Sequence, residues 1–202
     1  MIDHEAPDPQ LVSVYDGVVL DRNDPKKIGR VRIRVPGLIE PPGVWAMPIG
    51  MPGSGSASSG LFFVPEVGAE VAVLFKMGDA DHPRYLAGAW GRPNGQPDIP
   101  GSALTAADGT AYSAEQTPNV RVIESKRYEI VIDDNEGHER LAIRDKQSPA
   151  GGEDIIEIDS VNNGVRISGT VAVLIESVGV VNIRGLQVLI NGRVVRDTGD
   201  PI

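Results

Sequence analysis

The chain has 202 residues with 19 basic and 28 acidic side chains, a formal net charge of −9 and no cysteine. That balance argues against a general nucleic-acid binder, which needs a basic footprint, and against adhesion to an anionic membrane surface. The missing cysteine excludes disulfides, Cys-ligated zinc, iron–sulfur clusters and thiol nucleophiles. Aromatics number only nine, against 24 Gly and 16 Pro, so a Val- and Ile-rich chain cut by Gly and Pro reads as β-rich with many turns. No stretch reaches the ~18 consecutive apolar residues of a membrane span. Met1 to Pro9 lacks the basic end and apolar stretch of a signal peptide, which predicts synthesis as a soluble cytoplasmic protein.

Short strands are expected first. Leu11 to Leu20 alternates weakly, and Arg30 to Val35 alternates strictly, with Val31, Ile33 and Val35 on one face and Arg30, Arg32 and Arg34 on the other. Asp21 to Pro25 forms the turn between them. Val44–Ile49, Leu61–Val64, Ala69–Lys76 and Arg84–Trp90 are further strands, while Met51 to Gly60 has the composition of a flexible loop. Five or six strands in this space suit a small closed barrel, of which the five-stranded OB barrel is a common form.

Residues 93–119 hold four prolines and little apolar periodicity, which predicts a linker or irregular collar. The expected division is therefore 1–95 for the barrel, 96–119 for the linker and 120–202 for a second β module. Charge divides as well: residues 1–100 hold 9 basic and 12 acidic groups, and residues 101–202 hold 10 and 16.

Beyond residue 120 the pattern is a ladder. Tyr128–Ile132, Leu141–Ala142–Ile143 and Ile155–Ile158 are expected strands joined by polar turns such as Asp133 to Gly137. From Val165 the odd positions are Val165, Ile167, Gly169, Val171, Val173 and Ile175; Val181 and Ile183 continue, and after Gly185 the parity shifts to Leu186, Val188 and Ile190. About 80 residues with Tyr128 as the only aromatic cannot build a core of ordinary depth. A narrow stack of β-branched residues, completed by other copies that pair its open edges, resolves this.

These residues resemble a family. The order Gly17-Val18-Val19, Asp21 to Asp24, Gly29-Arg30-Val31-Arg32-Ile33 and Pro36, then Pro65, Gly68, Glu70-Val71-Ala72-Val73-Leu74-Phe75, Gly78-Asp79, Pro83 and Gly88, is similar to the OB domain of phage baseplate spike proteins (baseplate assembly protein V) and of the valine-glycine-repeat spikes of type VI secretion. The resemblance covers residues 11–92. It implies an all-β chain: an OB barrel followed by an intertwined trimeric β-helix needle. The trimer core expected from the ladder is Val165, Ile167, Val171, Val173, Ile175, Val181, Ile183, Val188 and Ile190. The implied protein is a structural homotrimer, made in the host cytoplasm and assembled into a tail or injection-machine baseplate. It would seat on a hub protein at the OB end and pierce the target cell envelope when a sheath contracts.

Small phage spikes carry a His-Xaa-His at the tip that holds iron. The three histidines here are His4, His82 and His138, so that site does not carry over, and no cofactor or metal is expected. Asp197 and Asp200 offer only oxygen ligands. Asn191-Gly192 predicts a tight turn, with Val194-Val195 as one more short strand. The end is expected to be blunt, with Val194, Val195 or Ile202 exposed and a small separate capping protein covering it, as in relatives that lack the metal.

Other chemistry is weaker. His82 with Asp79 and Asp81 lacks a recognised zinc or calcium spacing, and Asp133 to Gly137 lacks the alternate ligands of a calcium loop. No Gly-Xaa-Ser-Xaa-Gly elbow lies between a strand and a helix, and no carboxylate pair stands out for glycoside hydrolysis. Arg30, Arg32 and Arg34 line one strand face, but no exposed aromatics interleave with them as base stacking requires, so no specific nucleic acid is expected. Two rivals stay open: an OB-fold binder of single-stranded nucleic acid or glycan, and an envelope-degrading tail enzyme. A basic face bearing aromatics would favour the first, and wall hydrolysis by the pure protein the second.

Overall fold

A computed structural model describes residues 13–50, 55, 57–88, 90–147 and 154–194. Among them the regular structure is strands and single 3₁₀ turns, and no helix is long and apolar enough to cross a membrane. The chain forms two compact units, residues 1–99 and 100–202.

The first unit is a closed barrel of β1 (Tyr15–Asp21), β2 (Val31–Val35), β3 (Ile39–Pro48), β4 (Glu70–Phe75) and β5 (Pro83–Ala87). Strand order is β1-β2-β3-β5-β4, and β4 pairs back onto β1. All ladders are antiparallel except β3 with β5, the parallel contact that closes the barrel. This is OB topology. The alternation of β2 builds it: Val31, Ile33 and Val35 point inward and are buried with Val19, Ile39, Ala46, Val71, Val73, Phe75 and Tyr85. The buried Tyr85 hydroxyl donates to the Gly29 carbonyl at 2.7 Å, which satisfies its polar tip inside an apolar core.

Two glycines permit the closure. Gly43 has φ +76°, and a Cβ there would lie 2.4 Å from the Ile33 carbonyl oxygen. Gly17 faces the Val73 side chain, which a Cβ would approach to 2.6 Å. Both mark places where neighbouring chain comes too near for a side chain.

Leu61–Val64, expected as a strand, is not one. Its backbone is irregular, and Pro65 after it carries no N–H to extend pairing. Leu61, Phe62 and Phe63 are exposed, Phe62 to 70%. β3 is longer than expected at its start, since it extends through Pro41 and Pro42 to Ile39. In the loop expected over Met51 to Gly60, residues 51–54 and 56 lie outside the described residues, as do Leu11 and Val12 of the first expected strand.

The second unit is a five-stranded antiparallel meander in the order β10-β9-β8-β7-β6. Its strands are β6 (Val120–Glu124), β7 (Tyr128–Asp133), β8 (Arg140–Asp145), β9 (Asp154–Asp159) and β10 (Gly164–Ser168). Residues 100–119 belong to this unit and lie against its sheet. Ala103 and Ala106 are buried, Thr105 bridges Ala111, and Ser102 Oγ donates to Glu129 Oε2 at 2.7 Å.

The alternating run expected from Val165 becomes strand only at Gly164–Ser168. From Gly169 to Val188 the backbone pairs with no strand among the described residues. The pattern resumes in β11 (Leu189–Ile190) and β12 (Arg193–Val194), a hairpin whose turn residues Asn191 and Gly192 have φ of 51° and 74°. Positive φ at both central residues is what a two-residue hairpin of this hand requires. Val195, Asp197, Asp200 and Ile202, expected at the tip, lie outside the described residues.

Candidate functional site

The sheet of the second unit is reversed relative to an ordinary globular layer. Along β7, Glu129, Val131 and Asp133 face the covered side, while Tyr128, Ile130 and Ile132 are exposed. Register carries this across the whole sheet. Ile123, Ile130, Ile143, Ile156 and Ile167 form one cross-strand row, and Ile132, Leu141, Ile158 and Val165 form the next. All nine aliphatic side chains are exposed. Directly opposed aliphatic residues on one face are a stabilising unit of a sheet, yet among the described residues nothing covers these rows.

The polar side is closed by the chain itself. Asp133 and Glu129 are only 2% and 4% exposed. Asp133 Oδ1 accepts from the backbone and side-chain nitrogens of Asn135 at 3.0 and 2.9 Å, and its Oδ2 accepts from the Tyr112 hydroxyl. Burial, and then the bond to Asp133, raise the Tyr112 phenol well above its usual range. Asn135 Nδ2 also donates to the Gln116 carbonyl at 3.2 Å, and Arg144 donates to Glu129 at 3.2 Å. Asp133 to Gly137 is thus a turn whose first and third side chains are buried and hydrogen-bonded, rather than a solvated loop.

Of the nine residues expected in the trimer core, Val165, Ile167, Val171, Val173, Ile175, Val181, Ile183 and Ile190 are exposed in the single chain and Val188 is half-buried. Only Val165 and Ile167 share the sheet face. Sequence reading missed Ile123, Ile130, Ile132, Leu141, Ile143, Ile156 and Ile158 as members of the same surface. The alternation Tyr128-Glu129-Ile130-Val131-Ile132-Asp133 was the available signal.

In the barrel, β2 and β3 pair Arg32 with Trp45. The guanidinium carbons of Arg30 and Arg32 lie 5.2 and 4.9 Å from the Trp45 ring centroid. A half-buried aromatic therefore lies beside these arginines, a neighbour that the sequence reading did not place there. Cross-strand register, not chain proximity, brings it there. Asp24 organises the preceding loop. Its carboxylate accepts from the backbone N–H of Lys26 and Ile28, both at 2.9 Å, and from Nε and Nη2 of Arg30 at 2.9 and 2.6 Å. The Arg30 guanidinium, aided by those amides, holds the Asp24 carboxyl well below the usual carboxylate range.

His82 Nδ1 lies 2.6 Å from Asp79 Oδ2, and the Asp81 amide donates to Asp79 Oδ1 at 2.9 Å. The Asp81 amide, then His82, lower the Asp79 carboxyl. Among the described residues no three such groups converge as metal ligands.

The chain is thus an all-β protein: a closed five-stranded OB barrel joined to an antiparallel sheet whose aliphatic face is uncovered among the described residues. Residues 15–90 match the family described as the type VI secretion system/phage-baseplate injector OB domain, so the barrel is similar to the OB domain of such injectors. No curated protein matches the chain. The role that follows from the match is a structural one in a baseplate, within a tail or injection assembly.

Proposed function

We propose that the chain is the central spike at the tip of a contractile phage tail or related injection machine, and that it works as a homotrimer. The observation that carries this reading is the nine-residue aliphatic face of the β6–β10 sheet, followed by the exposed run from Val171 to Ile183, in a chain that begins with an injector OB domain. Large contiguous apolar surface calls for a partner surface. Three copies turned about one axis bury their sheet faces against one another, and the exposed run from Val171 to Ile183 finds strands in the neighbouring copies.

The work is mechanical. Sheath contraction drives the inner tube outward, and the spike ahead of it enters the target envelope. Interlocked strands around a dry β-branched interior resist bending and compression. The OB domains seat the needle on a hub protein, a small capping protein covers the C-terminal end, and no specific nucleic acid takes part. Light scattering on the purified chain should give about three times the 21.5 kDa chain mass, with no hydrolysis of cell-wall material. A folded monomer overturns the trimer, and wall hydrolysis overturns the passive role.

A further inference from the structure

One surface of the barrel has no part in that role. A recess of about 350 Å³ opens on its outer side, walled by Lys26 and Arg30 from the β1–β2 loop, Trp45 and Met47 on β3, Lys76 after β4, and Arg84 at the start of β5. The register explains the cluster: Arg32 pairs with Trp45, and Met47 pairs with Arg84, so β2, β3 and β5 present these side chains on one face. The chain as a whole is acidic, yet here the balance is inverted. Arg30 is matched by Asp24, and His82 by Asp79. Asp81 is the carboxylate left on the lining, while Lys26, Lys76 and Arg84 there have no ion pair among the described residues.

Trp45 and Met47 are apolar parts of its lining, so ligand groups entering it lose water beside cations. Charge-assisted hydrogen bonds strengthen in such a place, and guanidiniums favour planar two-oxygen partners. The loop already shows a charge-assisted contact of this kind: Nε and Nη2 of Arg30 both donate to Oδ1 of Asp24. Nucleic acid fits less well. Bases need open aromatic platforms, and the guanidiniums of Arg30 and Arg32 already lie about the ring of Trp45, the one indole or phenyl ring in the lining.

We propose that this recess docks an acidic segment of a partner protein, whose Asp and Glu carboxylates pair with Lys26, Lys76 and Arg84 beside Trp45. The proposal stands apart from the trimer and from piercing, because every residue it uses lies in the barrel.

The test is fluorescence anisotropy on the full-length chain with two labelled probes, a short oligoglutamate and an oligo-dT of equal charge. Oligoglutamate should bind saturably at low salt and weaken as salt rises. Lys76→Glu combined with Arg84→Glu should lower its affinity about tenfold or more, as two charge-assisted contacts are lost. Lys126→Glu, the same kind of charge change on the other unit, should leave affinity unchanged. Lys26→Glu, on an exposed loop position, gives an independent reading if the double variant fails to fold. Three results would overturn the proposal: no saturable oligoglutamate binding, equal loss from Lys126→Glu, or tighter binding of oligo-dT that falls in the same recess variants. The last would assign the recess to nucleic acid.

Discussion

Ile143 is the centre of the longest apolar row, between Ile130 on β7 and Ile156 on β9. In one chain it is 43% exposed. Burying a whole isoleucine is worth roughly 1.5–3 kcal/mol, so covering the open part contributes about 1 kcal/mol per chain and about 3 kcal/mol per trimer. Ile143→Ala forfeits most of that, a weakening of assembly of about 10- to 100-fold. Ile143→Asp does more, because three carboxylates would face one dry axis and each ion costs several kcal/mol to desolvate. Like charges at close range also resist ionising together. Arg166→Ala is the matched control, since Arg166 lies on β10 but on the opposite face, in register with Glu157. Sedimentation velocity over a dilution series should show a trimer for the parent and for Arg166→Ala, a weakened one for Ile143→Ala, and smaller species for Ile143→Asp. A trimer of undiminished stability in Ile143→Asp would refute the inward assignment of this face, as would equal losses in Arg166→Ala.

Other perturbations test the two units separately. Gly43→Ala should destabilise the barrel by about 1–3 kcal/mol, because it forces a positive φ and a Cβ against the Ile33 carbonyl; thermal unfolding of the barrel measures it. Tyr112→Phe leaves Asp133, buried in the second unit, without one donor, and chemical denaturation should report a loss of about 1–3 kcal/mol. Acid should act through Asp24: its folded carboxyl is held below the unfolded value, so its contribution is complete above the unfolded pKa of about 4 and fades as pH falls below it. Asp24→Asn should lower barrel stability at neutral pH and flatten that acid decline, and an unchanged pH profile would count against the Asp24–Arg30 contact.

Much of the barrel was legible because β2 states its own burial. Val31, Ile33 and Val35 are apolar, their neighbours are arginines, and no other packing satisfies that alternation. The Asn191-Gly192 hairpin was equally local, since two positive-φ residues in sequence determine the turn. The recess was not legible. It depends on which residue of β3 stands opposite Arg32, and one residue of slip would turn Trp45 to the other face. The reversed sheet was half legible. Tyr128 to Asp133 shows two faces, but either could have been the buried one. The outcome rests on residues 100–119, whose Ser102 and Tyr112 bind Glu129 and Asp133 and so claim the polar side. Their proline content and weak periodicity gave no hint of that attachment. Leu61–Val64 misled for the opposite reason: its apolar composition suits a strand, but the barrel closes through β3 and β5 without it.

The most direct test of the spike assignment is a threefold-averaged electron cryomicroscopy reconstruction of baseplates from cells that produce this chain. The account predicts three copies on the tail axis at the leading tip, their OB barrels against the hub, the aliphatic faces of β6–β10 turned to the axis, and a cap beyond the C-terminal end. Particles in which the chain is absent from the axis, or stands there in other than three copies, would contradict it.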